Sequence, residues 1–191
     1  MRTPDFFKKL ARGPQVVLLK DAAYAVAFAG VANGDRVADA GSGSGWLAVY
    51  LATIVGEKGH VYSYEWREDF HGLSKKNAVK AGLDSIIDFH HKSVFDGIAE
   101  TDLDAVFLDL ANAENALAHA LSALKKKGAC VAFLPNIEQV KTFVLKGEEL
   151  GFVHERTIDV MPREWLVRPQ GVRPVTKGLW HTLFLSFLRK P

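Results

Sequence analysis

The sequence is poor in cysteine: Cys130 is the only one among 191 residues. A lone cysteine cannot form a disulfide within the chain, which excludes disulfide-stabilised scaffolds and is typical of a protein kept in a reducing compartment. No run of apolar residues reaches the ~18 needed to cross a membrane. The N-terminus also lacks the hydrophobic core of a signal peptide. We therefore expect a cytoplasmic protein with no membrane segment.

The chain also has little net charge, because 24 basic residues nearly balance 22 acidic ones. The distribution along the chain is uneven, however. Residues 1–20 and residues 155–191 each carry a net charge of +4, whereas the middle of the chain carries a net charge of −6. Basic ends suit a polyanionic partner if the fold brings them to one face. Solvated termini explain the same pattern without a partner.

No repeat or Pro/Gly/Ser-rich linker divides the chain, so we expect a single domain over 1–191, with 1–19 as a basic N-terminal segment. Apolar periodicity predicts alternating helices and strands, and nearly continuous apolar strands are typical of a sheet covered on both faces. Alternation of this kind indicates a Rossmann-like α/β sandwich with a parallel sheet. The last two strands lack a helix between them, which favours an antiparallel pair. The predicted helices are 20–31, 46–55, 67–82, 114–126 and 137–151, and the predicted strands are 36–40, 60–65, 86–92, 105–110, 129–135, 153–161 and 181–190.

A glycine-rich loop follows the first predicted strand. It reads Asp39-Ala-Gly41-Ser-Gly43-Ser-Gly45 and opens the next helix. Glycines at such a turn let the backbone approach a ligand that a Cβ would repel. Glu65, at the end of the next strand, has the spacing of an acid that accepts hydrogen bonds from ribose hydroxyls. A dinucleotide or S-adenosylmethionine fits such a loop, and the G-x-G-x-G spacing favours the second.

A second acidic residue, Asp109, ends the apolar run AVFLDL. Ligands of open α/β sheets bind outside the carboxyl ends of the strands, so Asp109 is expected in the same crevice as the glycine loop. A carboxylate after four apolar residues is costly to desolvate unless it has a partner. The alternative is a helix cap, for which Asp109 and Asn112 are both candidates.

Seven segments in register resemble the tRNA (adenine-N1) methyltransferase family, whose members modify the T-loop adenine. The resemblance spans about Arg12 to Lys190, and it is most specific in FLPNIEQV, in REW and in the His181-Thr182 pair. The segments are QVVLLKDAA from Gln15, AGSGSGWL, YSYEWRED, AVFLDL, FLPNIEQV, REWLVRP, and Arg173-Pro174 with His181-Thr182.

The resemblance implies a class I methyltransferase sandwich with a seven-stranded, mostly parallel sheet and an antiparallel terminal strand. It also implies S-adenosylmethionine as cofactor, tRNA as partner and a homo-oligomer, either tetramer or dimer. Asp109 would be the catalytic carboxylate, and no metal is implied. The substrate-binding residues would be Lys20, Arg168, Arg173 and His181, and the cofactor-binding residues would be Gln15, Gly41, Gly43, Ser44, Gly45, Trp46, Leu47, Glu65, Ser93 and Asp109.

The sequence departs from the family pattern at three places. The segment after Asp109 lacks the usual prolines and tryptophan and reads Ala111-Asn-Ala-Glu114, which predicts a softer loop. Ser93 stands where an acid near the adenine of the cofactor is common. Only about a dozen residues precede the match, so the N-terminal β-domain of the family is expected to be missing.

Two other clusters have simpler interpretations. His90 and His91 are adjacent in a predicted strand and face opposite sides, which argues against a shared metal site. Lys125, Lys126 and Lys127 are predicted in the last turn of a helix, where cations complement the helix dipole.

Two other functions remain open from the sequence. The same fold methylates small molecules, as in C-methylating enzymes of the cobalamin pathway. A non-catalytic tRNA-binding paralogue is the third possibility, although the intact glycine loop, Glu65 and Asp109 argue against it.

Overall fold

The structure is a computed structural model that describes residues 8–13, 15–178 and 181–191. Five α-helices and nine strands form within these residues. No helix there has the length and apolar character needed to span a membrane. The helices are α1 (Leu19–Ala29), α2 (Trp46–Val55), α3 (Glu68–Ala81), α4 (Leu117–Ala123) and α5 (Ile137–Glu149), and the strands are β1 (Arg36–Ala40), β2 (His60–Tyr64), β3 (Ile87–His90), β4 (Leu103–Leu108), β5 (Leu124–Leu134), β6 (Val153–Asp159), β7 (Trp165–Arg168), β8 (Gly171–Pro174) and β9 (Phe184–Arg189).

Seven strands form one sheet in the order β3-β2-β1-β4-β5-β9-β6. The pairs from β3 to β5 are parallel, while β9 runs antiparallel to both β5 and β6. The sequence prediction of a mostly parallel sheet with an antiparallel terminal strand is therefore confirmed, and that last strand lies between β5 and β6.

The core has two layers, one on each face of the sheet. Side chains of β4 alternate between them: Phe107 packs with the α1–α3 layer, and Leu108 packs with the α4–α5 layer. Both side chains are fully buried. This double burial explains why the strand reads as an almost continuous apolar run.

The local prediction was most accurate around the glycine loop, where β1 and α2 match the predicted bounds of 36–40 and 46–55. It was wrong for the three lysines after α4. The helix ends at Ala123, and Lys125–Lys127 belong to β5 instead. Lys125 forms an ion pair with Asp104 of β4, so a contact between neighbouring strands replaces the expected contact with the helix dipole.

The sequence prediction also missed the hairpin formed by β7 and β8, which lies in the basic stretch 162–180. These two strands make a separate sheet. Arg168 pairs with Gly171, so Pro169 and Gln170 form the turn, and Gly171 has a φ of 145°. Proline followed by glycine at this spacing is a recognisable turn signal in the sequence.

Candidate active site

The glycine loop joins β1 to α2 through conformations that require glycine. Gly43 and Gly45 have φ values of 51° and 76°, which L-residues with a side chain rarely adopt. A Cβ on Gly45 would also lie 2.8 Å from the Cβ of Ser74 in α3. Glycine is thus required here both for the turn and for the close approach of α3.

Glu65 follows β2 and is only 4% exposed. Its Oε2 accepts a hydrogen bond from the amide of Gly43 at 2.9 Å, and its Oε1 accepts one from the amide of Arg67 at 3.0 Å. These bonds fix the carboxylate beside the glycine loop.

A second carboxyl group, that of Asp39, is fully buried behind the loop. Burial raises its pKa to about 7, with smaller contributions from the charges of Asp109 and Glu65, while the hydrogen bond from Ser63 opposes the rise. The Ser63 hydroxyl donates to Oδ2 at 3.0 Å, and Oδ1 has no partner among the described residues.

Asp109 is the first residue after β4, and its amide donates to the carbonyl oxygen of Ala40 at 2.6 Å. Burial raises the pKa of its carboxyl group to about 6. No residue in the described part of the chain donates a hydrogen bond to this carboxylate. It does not cap a helix: Asn112 is at the cap position of the next turn, and its side chain makes no capping bond either. The carboxylate is therefore available to a ligand.

Two cavities of about 510 Å³ each meet at Asp109. Both are lined by Gln15, Asp109, Leu110 and Ala111. We call the first the glycine-loop lobe; it is also lined by Gly41, Gly43, Tyr64, Glu65, Trp66, Arg67, Phe70, Lys92, Ser93, Val94, Phe95 and Asn112. We call the second the histidine lobe; it is also lined by Arg12, Val16, Val17, Leu18, Asp21, Phe133, Pro135, Gln139, His181, Thr182 and Leu183.

The chain before α1 is tied to the glycine loop by Asn77, a residue that sequence reasoning missed. The side chain of Asn77 is buried in α3. It accepts from the amide of Ala11 at 2.9 Å and donates to the carbonyl oxygens of Ala11 at 2.9 Å and Ser44 at 2.7 Å. Trp46 donates to the same Ala11 oxygen at 3.1 Å. A polar residue on the buried side of an amphipathic helix is the signal by which the sequence could have identified it.

The predicted cofactor residues divide into two groups. Ser44, Gly45, Trp46 and Leu47 are not among the residues that line either lobe. The first two belong to the glycine loop, and the last two begin α2. The side chain of Ser93 accepts from the amide of Phe95 at 3.2 Å. The predicted cofactor residues that line the glycine-loop lobe are Gln15, Gly41, Gly43, Glu65, Ser93 and Asp109.

Of the predicted substrate-binding residues, His181 lines the histidine lobe, and its Nδ1 lies 2.9 Å from Oδ2 of Asp159. Lys20 lies beside this lobe without lining it. Its Nζ donates to Oδ1 of Asp21 at 2.7 Å, to the carbonyl oxygen of Val160 at 2.8 Å and to Oγ1 of Thr182 at 2.6 Å. Arg168 and Arg173 belong to the hairpin and line neither lobe.

Sequence reasoning also missed Arg12, Arg67 and Gln139. Arg12 and Gln139 line the histidine lobe, while the guanidinium of Arg67 stacks 3.7 Å from the ring centre of Phe70 in the glycine-loop lobe. FLPNIEQV contains Gln139, so the segment was noticed although the residue was not.

The two adjacent histidines contact different groups. His90 lies 3.0 Å from Glu100 and stacks on Tyr64, whereas His91 contacts the carbonyl oxygen of Trp66 at 3.0 Å. No group of three or more potential metal ligands occurs within the described residues.

Known proteins resemble this chain in sequence and in fold. The family described as the tRNA methyltransferase complex GCD14 subunit matches residues 1–187. The chain belongs to this family. It is 34% identical to a tRNA (adenine(57)-N(1)/adenine(58)-N(1))-methyltransferase of Methanocaldococcus jannaschii, and the alignment covers 98% of this chain and 76% of that relative.

A second relative and a solved structure are named for methylation of different atoms. A tRNA (adenine(58)-N(1))-methyltransferase of Thermus thermophilus is 39% identical, with 97% of this chain and 73% of the relative covered. A solved structure from Thermotoga maritima, titled a SAM-dependent O-methyltransferase, has a TM-score of 0.94 and 32% identity, and the match covers 100% of this chain and 71% of that one. Family and fold together imply S-adenosylmethionine as methyl donor.

Proposed function

We propose that this protein transfers a methyl group from S-adenosylmethionine to N1 of an adenine in tRNA. The observation that carries the proposal is the position of Asp109, an unpartnered carboxylate where two cavities meet. Names of the relatives support adenine N1 as the acceptor atom.

The glycine-loop lobe fits the cofactor. Its volume of about 510 Å³ lies within the usual range for small-molecule sites, and its glycines leave the backbone accessible. In our proposal Glu65 accepts hydrogen bonds from the ribose hydroxyls. The cofactor, when bound, supplies an electrophilic methyl group on a sulfonium. Gln15 and Ser93 line the same cavity, while Ser44, Gly45, Trp46 and Leu47 hold the loop in shape.

Asp109 acts on the acceptor in this proposal. Adenine N1 already carries a lone pair, so the enzyme must hold the base in line with the methyl group and stabilise the positive charge that develops on it. A carboxylate that accepts a hydrogen bond from the exocyclic N6 provides this stabilisation and can take the proton. With a pKa of about 6, Asp109 is ionised at neutral pH.

The two faces of the hairpin differ in chemistry, and the face that carries two arginines is suited to contact RNA. Arg168 and Arg173 project from one face, since the pairs Arg168–Gly171 and Leu166–Arg173 share a side. Both arginines are exposed. We propose that they contact phosphates of the tRNA, that His181 contacts the acceptor nucleotide in the histidine lobe, and that Lys20 positions Thr182 beside it.

The opposite face of the hairpin supports self-association. Trp165, Val167 and Val172 lie on that face and are 57%, 77% and 61% exposed. Large exposed apolar side chains on an isolated hairpin are typical of an interface. We propose that a second copy of the chain covers them. Analytical ultracentrifugation should show an oligomer that Val167→Asp dissociates; a monomeric wild-type protein would contradict this assembly.

The test of the activity is direct. Unmodified tRNA transcript is incubated with methyl-labelled S-adenosylmethionine and then digested to nucleosides, and we expect the label in 1-methyladenosine. A transcript with guanosine at positions 57 and 58, the positions named for the relatives, is the matched control. Label that is transferred to an oxygen atom rather than to adenine N1 would point to O-methylation, as named for the Thermotoga maritima structure.

A further inference from the structure

Gln139 occupies a fixed place in the wall of the histidine lobe. It lies in the first turn of α5, and its amide donates to Oδ1 of Asn136 at 3.0 Å, the capping bond of that helix. Asp109 approaches the lobe from the neighbouring strand, because β4 and β5 pair in parallel up to Leu108 and Ala132. Asp109, just after β4, and Gln139, in the helix that follows β5, thus line one cavity.

The side-chain oxygen of Gln139 is buried and has no hydrogen-bond partner. Among the described residues that line the histidine lobe, it is the only buried side-chain polar atom in this condition. By contrast, Asp21 and Thr182 in the same lobe bond to each other and to Lys20. A buried acceptor left unpaired costs free energy, so a ligand that supplies a donor at this point is favoured.

The chemistry of a primary amide specifies which donor fits. Glutamine presents an acceptor and a donor side by side, a geometry that matches the N6 amino group and N7 of adenine. The N6 amino group carries two protons, one directed toward N1 and one toward N7. Asp109 takes the first in the proposed reaction, which leaves the second for Gln139.

We infer that Gln139 is a specificity residue that reads the N6/N7 edge of the acceptor adenine. The side-chain amide turns so that its Oε1, which is shielded from solvent without a ligand, accepts the second N6 proton. Its Nε2 then donates to N7, and N1 stays free to receive the methyl group. Guanine presents acceptors at both O6 and N7, so it leaves Oε1 without a donor and sets O6 against Asp109. This inference rests on the proposed function, because it takes adenine as the acceptor.

The experiment compares tRNAs that carry adenosine or 7-deazaadenosine at the target position, with kcat/KM as the readout. Replacement of N7 by a carbon removes one hydrogen bond, and the wild-type enzyme should lose about tenfold in kcat/KM. Gln139→Ala should be slower on adenosine by on the order of 10- to 100-fold, and should treat both substrates alike within about twofold. Glu138→Ala, a neighbour that does not line the lobe, should keep the wild-type preference.

Gln139→Glu gives a second, sharper outcome. Its carboxylate still accepts from N6 but repels the N7 lone pair, so this variant should prefer 7-deazaadenosine. Calorimetry with S-adenosylmethionine verifies that each variant is folded. An equal response to both substrates in the wild-type protein, or a full 7-deaza penalty in Gln139→Ala or Gln139→Glu, would overturn the inference. A wild-type protein that leaves adenosine tRNA unmethylated would instead overturn the proposed function.

Discussion

The two lobes of the crevice differ in how their polar groups are satisfied. In the glycine-loop lobe the chain supplies its own partners: both oxygens of Glu65 accept backbone amides, and Asn77 binds two carbonyl oxygens beside the loop. In the histidine lobe, the buried Gln139 oxygen lacks such a partner within the described part of the chain. The Asp109 carboxylate, which lines both lobes, accepts no hydrogen bond from a described residue either.

This difference separates a preformed site from one that is completed by its ligand. A lobe whose geometry is fixed by backbone hydrogen bonds binds one constant ligand with little reorganisation. A lobe with unpaired buried groups discriminates strongly, because a wrong ligand leaves these groups unpaired. We therefore expect changes in the first lobe to alter mainly cofactor affinity, and changes in the second to alter mainly rate and choice of acceptor.

Asp109→Asn should have the largest effect. The variant keeps the shape of the side chain but loses the negative charge, so the rate of methyl transfer to tRNA should fall by on the order of 10²–10³. Cofactor affinity should change much less, because Glu65 and the glycine backbone remain. Single-turnover kinetics and calorimetry measure the two quantities. Equal losses in both would make Asp109 a cofactor ligand only.

Glu65→Ala should produce the converse result. Loss of hydrogen bonds to a charged group weakens binding of S-adenosylmethionine by roughly 1–3 kcal/mol, or about 5- to 150-fold in the dissociation constant. Glu65→Gln retains one acceptor oxygen and serves as the matched variant with a smaller loss. Calorimetry measures both. The proposed difference between the two lobes would be wrong if the rate of methyl transfer at saturating cofactor fell more than the affinity for S-adenosylmethionine.

A pH profile should sharpen the contrast at Asp109. Since its pKa is raised to about 6, activity requires a pH above that value, and kcat/KM should fall about tenfold between pH 7.5 and pH 5. When S-adenosylmethionine is the varied substrate, the pH dependence of kcat/KM reports ionisations of the enzyme before the cationic cofactor binds. In the Asp109→Asn variant this fall in kcat/KM at low pH should vanish. If the fall persists in the variant, the ionisation that causes it belongs to another group, such as Asp39, whose pKa is about 7.

The hairpin should show the smallest effect. Replacement of Arg168 and Arg173 by glutamine should reduce the salt dependence of tRNA binding, with the slope of log K against log salt falling by about 1.5 for two lost phosphate contacts. Lys58→Gln with Lys126→Gln is the matched control, because it makes the same charge change at exposed positions near the amino ends of β2 and β5. Filter binding at several salt concentrations measures both, and an identical slope in the two double variants would rule out these arginines as phosphate contacts.

Prediction from the sequence succeeded where local chemistry determines structure. The bounds of β1 and α2 followed from an apolar run, a glycine loop and a second apolar run, and Asp109 was placed correctly because β4 is apolar on both faces. Prediction was wrong at Lys125–Lys127, since only the partner strand with Asp104 shows that these residues extend β5. It missed Asn77, whose bonds to Ala11 span 66 positions in sequence.

The sequence alone determined the alternation of helices and strands, the loop that needs glycine, and the two acids that follow β2 and β4. These features depend on neighbours within a few residues, where burial and backbone conformation leave a pattern. Only the tertiary structure decided which polar groups share a cavity and which remain unpaired there. The partners of Lys20, including Val160 and Thr182, lie 140 and 162 positions away, and no local pattern records whether a partner will be present. The unpaired oxygen of Gln139 is an example, because its lack of a partner is evident only from the assembled lobe.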